Sequence, residues 1–180
     1  MAITAKKSET TFIPHPEGQF AVVCCDVVDL GKVKVEYAGK VKEQHKIWIV
    51  FQSDEAHPET KELMTVRERF TLSLHEKAAL RKFCEAWRGK PYSEEQAQEG
   101  VDIEAMIGIG ALIQVAHRQA NGNTYANITS VMRLPKGMEA PGVNPKYVRV
   151  KDRPKETVAK SPQASDYPEQ APDDDDDLPF

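Results

Sequence analysis

Lys46, Trp48, Arg67 and Arg69 are residues of the types that hold a single-stranded nucleic acid. Cations track the phosphates, and an aromatic plane accepts a stacked base at ~1–3 kcal/mol per base. Whether the four act together depends on which way their side chains point. Along a strand over 45–51, Ile47, Ile49 and Phe51 fall on one face and Lys46, Trp48, Val50 and Gln52 on the other. Over 65–74, Val66, Phe70, Leu72 and Leu74 form the apolar set, so Arg67, Arg69, Thr71 and Ser73 point the other way. Antiparallel pairing of these strands gathers Lys46, Trp48, Arg67 and Arg69 on one outward face. Lys32 and Lys34 share the outward parity of the preceding segment, Lys40 and Lys42 lie in the loop that follows it, and Arg118 and Tyr125 flank a later turn.

A second group of residues ends the chain. Asp173 to Asp177 are followed by Leu178, Pro179 and Phe180, and the last 18 residues hold seven acids and no Lys or Arg. Acidic ends commonly only solvate a chain. Here the run stops on an aromatic side chain beside the terminal carboxylate. The tail also dominates the whole-chain charge of −4. Residues 1–137 carry 18 Lys+Arg against 18 Asp+Glu, and residues 138–180 carry 6 against 10, so the imbalance sits in the tail. Residues 1–162 sum to +3, and the objection that an acidic protein repels phosphates disappears for the body.

Other chemistries are poorly supplied. Cys24 and Cys25 stand in a run apolar on both faces, where burial raises a thiol pKa and shields it, and three cysteines form no disulfide framework. The five histidines are never at His-x-x-x-His spacing. Gly108-Ile-Gly110 is a turn and not a phosphate loop, and Asp26 and Asp29 read as structural carboxylates. No enzyme, cofactor or metal is expected. No stretch approaches the ~20 apolar residues of a membrane span, and a cytoplasmic location follows as the default.

The elements that must position these residues run in a simple order. Residues 1–19 form an irregular arm. Phe20 to Tyr37 is one strand bent at Gly31, His45 to Phe51 a second and Thr65 to Leu74 a third. A helix follows, with Ser73 and Glu76 at capping-box spacing, Leu80, Phe83, Cys84 and Trp87 as its buried stripe, and Gly89 and Pro91 as its end. Short helical turns begin at Ser93 and Asp102, then strands 111–118 and 124–134 meet at Asn121-Gly122-Asn123. The expectation is a mainly β chain with one principal helix: a five-stranded Greek-key OB-fold barrel over 20–137, whose second and third strands floor an oligonucleotide groove. Residues 138–180, poor in large apolar side chains and holding seven of the twelve prolines, are expected to be a disordered or loosely docked tail.

The terminal eight residues resemble the C-terminal tip of bacterial single-stranded DNA-binding proteins. The arm, the Asp29-Leu30-Gly31 bend and the Trp87-Arg88-Gly89 helix end resemble a set of phage-encoded single-stranded DNA-binding proteins, which are OB-like with acidic tails. The resemblance implies coating of single-stranded DNA in replication, recombination or repair. It also implies recruitment of nucleases, helicases, primase subunits or recombination mediators through Asp173, Asp174, Asp175, Asp176, Asp177, Leu178, Pro179 and Phe180. Oligomeric state stays open, a homo-oligomer included. The alternative expectation is an adaptor or decoy that presents the tail without binding DNA appreciably.

Overall fold

The computed structural model describes residues 12–153, so the acidic tip lies outside the described residues. Five antiparallel strands dominate: β1 (Gly18–Tyr37), β2 (Lys40–Ala56), β3 (Leu63–Thr71), β4 (Gly110–Ala120) and β5 (Asn123–Arg133), in the order β3-β2-β1-β4-β5. Between β3 and β4 come helix α1 (Ala79–Arg88), helix α2 (Glu94–Glu99) and a 3-10 turn at Glu104–Met106. Among the described residues no helix is long and apolar enough to cross a membrane.

The strands form where alternation places one apolar face inward. Val22, Cys24, Ile47, Ile49, Phe51, Val66, Phe70, Ile113, Val115, Ile128 and Val131 share one core. Its two edge strands meet at Glu68, a carboxylate that is buried and accepts a hydrogen bond from the Ile128 backbone N–H at 3.1 Å. A sheet whose first and last strands approach in this way is barrel-like. α1 packs against β3 and β5, with Leu80, Cys84 and Trp87 buried and Phe83 against Phe51 and Phe70. The Trp87 indole N–H donates to the Gly110 carbonyl at 2.9 Å, which ties the helix to the start of β4. Arg81, buried under the helix, donates to Glu85, Glu94 and the carbonyls of Leu74 and Tyr92, joining α1 to α2.

Of two expected helix starts, the one at Ser93 holds and the one at Ser73 moves. Ser93 and Gln96 make a reciprocal capping box on α2. Ser73 and Glu76 do not cap α1, which begins at Ala79 with no side-chain cap. Residues 75–78 close a turn of their own, Ala78 N–H to His75 carbonyl, and the Ser73 hydroxyl accepts from His75 N–H instead. The strand ends also move, since β3 stops at Thr71 and leaves Leu72 exposed.

β1 is one long bent strand. It pairs with β4 over Gly18–Val23 and with β2 over Val23–Tyr37, serving both halves of the sheet. Register shifts fall at Cys24/Asp26 and Asp29/Gly31. At the second, two β1 residues oppose Lys46, and Gly31 takes φ +70°, a left-handed conformation that glycine adopts without steric cost. Asp29 braces the bend, its carboxylate accepting from Gly31 N–H at 2.7 Å and from His45 Nε2 at 2.5 Å.

Beyond the bend, β1 and β2 continue as a two-stranded ribbon to the turn at Ala38-Gly39, both with positive φ as a type I′ hairpin requires. The loop expected over 38–44 is therefore strand, and Lys40 and Lys42 are ribbon residues. β3 begins to pair only at Lys46, and β4 leaves β1 at Val23, so among the described residues the ribbon has no further strand beside it.

The expected tail boundary at 138 also shifts. Residues 138–153, here termed the strap, run back over the outer face of the sheet and end in a 3-10 turn at Val150–Asp152. The N-terminal arm docks as well. His15, buried, donates from Nδ1 to the Pro16 carbonyl and accepts the Ser53 hydroxyl at Nε2 (2.7 Å), with its ring edge-on to Phe20.

Candidate nucleic-acid interface

Cross-strand register fixes which side chains share the outer face. Lys46 pairs with Thr71, Trp48 with Arg69, Val50 with Arg67 and Gln52 with Thr65, while Ile47, Ile49 and Phe51 pair with Phe70, Glu68 and Val66 inside. The expected grouping of Lys46, Trp48, Arg67 and Arg69 is thus reproduced by the backbone. Lys46 Nζ donates to the Thr71 hydroxyl at 2.5 Å, and that hydroxyl lies 3.4 Å from the Gln44 side-chain oxygen. These contacts hold the ribbon's base against β3.

The expected role of Trp48 changes. Its side chain is 6% exposed and belongs to a second apolar cluster with Cys25, Val28 and Val50, against which Leu30, Tyr147 and Val150 pack. The Arg67 guanidinium carbon stands 3.7 Å from the centroid of the indole ring, a cation–π contact. A base has no open plane to stack on here. Strand parity selected the correct face, but the strap and Arg67 close over the indole.

The second bulge redistributes the lysines. Because two residues oppose Lys46, Lys32 and Lys34 pair with His45 and Glu43 and leave the Trp48 face. Asp29 and His45, in contact with each other, mark that opposite face. The Trp48 face continues onto the ribbon through Gly31, Val33, Val35 and Tyr37 on β1 and Lys46, Gln44, Lys42 and Lys40 on β2. Arg118 and Tyr125 pair across the β4–β5 hairpin, whose turn is Asn121-Gly122. Arg118 is exposed, but Tyr125 is buried, with Phe12 of the arm at 6.4 Å between ring centroids.

The strap contributes what composition hid. Asp26, 1% exposed, accepts hydrogen bonds from Val150 N–H (2.8 Å), Arg149 Nε (3.0 Å) and the Tyr147 hydroxyl (3.2 Å). Gln52 holds the other end, donating to the Gly142 carbonyl at 3.1 Å and accepting from Asn144 N–H at 2.9 Å. Arg149 also meets Glu104 at 2.6 Å, and that hydrogen bond holds the Glu104 carboxyl below its ordinary range. Lys146 and Lys151 remain exposed on the strap, and the Arg153 guanidinium carbon lies 5.5 Å from the centroid of the Tyr147 ring. The alternation Tyr147-Val148-Arg149-Val150-Lys151 was the available signal for this segment. Asp26 and Asp29 have distinct structural tasks, one anchoring the strap and one bracing the bend.

The thiols do not favour nucleophilic chemistry. Burial pushes Cys25 and Cys84 up to about 12, and Cys24 is raised by the same cause. The Tyr147 hydroxyl is likewise raised, first by burial and then by the neighbouring Cys25 and Asp26. These groups stay protonated and act as packing and donors. Comparison with protein-family models and with curated proteins gives no match.

Proposed function

We propose that the chain binds single-stranded DNA with little sequence preference, on an OB-type Greek-key barrel, in the replication, recombination or repair of DNA in a bacterial cytoplasm. One observation carries the reading. From Lys40 to Gln52 on β2 and from Thr65 to Thr71 on β3, the outer face presents Lys40, Lys42, Lys46, Arg67 and Arg69 and no acid. The only carboxylate beside it on β1, Asp26, is occupied by the strap. Five cations on a continuous surface suit a phosphate backbone, and their spacing along strands suits an extended single strand.

The strand order, the bent β1 shared by both halves, the closure through Glu68 and the helix between β3 and β4 support the OB-type barrel. Recruitment of replication, recombination or repair proteins is assigned to Asp173–Asp177 with Leu178, Pro179 and Phe180, on their resemblance to the C-terminal tip of bacterial single-stranded DNA-binding proteins.

Fluorescence anisotropy of a labelled oligodeoxythymidine with the full chain tests the proposal. Binding at low salt should weaken as salt rises, with a log–log slope near −0.7 per phosphate contact. Arg69→Ala and Lys46→Ala should each make the slope shallower by about that amount. Absence of binding at low salt would reject the reading.

A further inference from the structure

With Trp48 closed, the outer face needs another ring if bases are to stack, and the ribbon supplies one. Tyr37 is 46% exposed next to the turn. We infer that one face of the β1–β2 ribbon clamps a single strand, with Tyr37 as its stacking residue; this rests on the single-strand-binding reading above.

The two faces of the ribbon differ in chemistry. The face continuous with the groove carries Val33, Val35 and Tyr37 down one strand and Lys40, Lys42 and Lys46 down the other, with Gln44 between the last two and no acid. The opposite face carries one exposed apolar residue, Val41, and mixes Lys32, Lys34 and His45 with Asp29, Glu36 and Glu43. Only the first face matches a polyanion with apolar bases. Its two columns sort the ligand, lysines toward phosphates and the Val33-Val35-Tyr37 column toward base planes. Alternate residues on a strand stand about 6.8 Å apart, twice the antiparallel rise, so Lys40 and Lys42 meet successive points along an extended backbone. A duplex keeps its base planes stacked inside and offers nothing to the apolar column.

The ribbon is also held ready. Its base is fixed by Asp29 to Gly31 and His45, and by Lys46 to Thr71, so its direction relative to the barrel is set before a ligand arrives. Pre-set geometry lowers the ordering cost of binding. Three features therefore coincide on one surface: an exposed ring, an acid-free lysine column, and continuity with Arg67 and Arg69.

The test uses the full chain and a labelled oligodeoxythymidine. Tyr37→Leu keeps apolar bulk and removes the ring, so affinity should fall about 5- to 150-fold, the equivalent of one lost stack at ~1–3 kcal/mol. Tyr37→Phe should stay within about twofold of the parent. Lys42→Ala should make the salt slope shallower by about 0.7, and Lys34→Ala on the opposite face should leave it unchanged. If the parent binds but Tyr37→Leu binds equally well, or if a duplex of the same length binds as tightly, the ribbon inference is overturned while the groove reading survives. If the parent does not bind at all, both fall together. Unchanged thermal unfolding of the variants, expected at an exposed ribbon position, ties any loss to binding.

Discussion

Removing the Asp26 carboxylate should free the strap. In Asp26→Ala, three donors lose their acceptor at once: Val150 N–H, Arg149 Nε and the Tyr147 hydroxyl. Hydrogen bonds to a charged group are worth ~1.5–3 kcal/mol each, but the three share one carboxylate whose own desolvation opposes them. Breaking a buried pair by deleting one partner costs about 3–5 kcal/mol, and this is the expected loss on urea unfolding. Arg149 keeps Glu104, which places the effect at the lower end of that range. Gln52→Ala, which deletes two neutral bonds to the strap backbone, should cost only ~1–3 kcal/mol.

The second readout is local. Trypsin cuts after Lys and Arg unless a proline follows, and the strap offers Lys146, Arg149 and Lys151, Arg153 being followed by Pro154. Brief digestion under native conditions should cleave after Arg149 in Asp26→Ala and spare it in the parent, because cleavage follows the population of the opened segment. Loss of less than 1 kcal/mol together with unchanged protection at Arg149 would refute the claim that Asp26 anchors the strap.

Trp48→Ala should destabilise the fold by about 3–5 kcal/mol, as for other buried tryptophans, and thermal unfolding should show the loss without any DNA present. Gly110→Ala should cost ~1–3 kcal/mol by overpacking, since a Cβ there would stand 2.5 Å from that of Ala140; the strap's trypsin sensitivity should rise while the ribbon stays unchanged. Burial holds the His15 imidazole below its ordinary pKa, so the unfolded chain binds its proton first as pH falls. Stability from this residue is present above about pH 6.5 and is lost on acidification below it, by at most ~1.4 kcal/mol per pH unit. Urea unfolding of His15→Gln between pH 7 and 5 should show a flatter dependence than the parent.

Much of the architecture was legible because periodicity is a local property. Ile47-Trp48-Ile49-Val50-Phe51 and Val66-Arg67-Glu68-Arg69-Phe70 alternate plainly, and Asn121-Gly122 carries its own turn chemistry. The β2 half of the ribbon was misread because, with no core beneath it, it carries no sustained apolar alternation of its own. Lys40-Val41-Lys42-Glu43-Gln44 therefore looks like a loop. A bulge is equally hidden, since one extra residue at Leu30 exchanges the faces of Lys32 and Lys34 without disturbing their spacing. Trp48 failed for a third reason. Parity says which way a side chain points, whereas its cover comes from Tyr147 and Val150, about a hundred residues later in a proline-rich stretch.

Docking of the strap also moves the division of charge along the chain. Residues 138–153 carry Lys146, Arg149, Lys151 and Arg153 against Glu139 and Asp152, a net +2 laid against the sheet's outer side. Residues 1–153 then hold 22 Lys+Arg and 20 Asp+Glu, or +2, and residues 154–180 hold 2 against 8, or −6, which together restore the whole-chain −4. Asp26 explains why the chain returns over the outer face. A buried carboxylate without a cation is costly, and Arg149 supplies the cation only if the chain returns to the outer face after β5. The same return covers Trp48 and Val50, which converts an apolar outer surface into a second core. One carboxylate on β1 thus accounts for a strap that packs, a tryptophan that is closed to bases, and a cationic surface extended beyond the five strands.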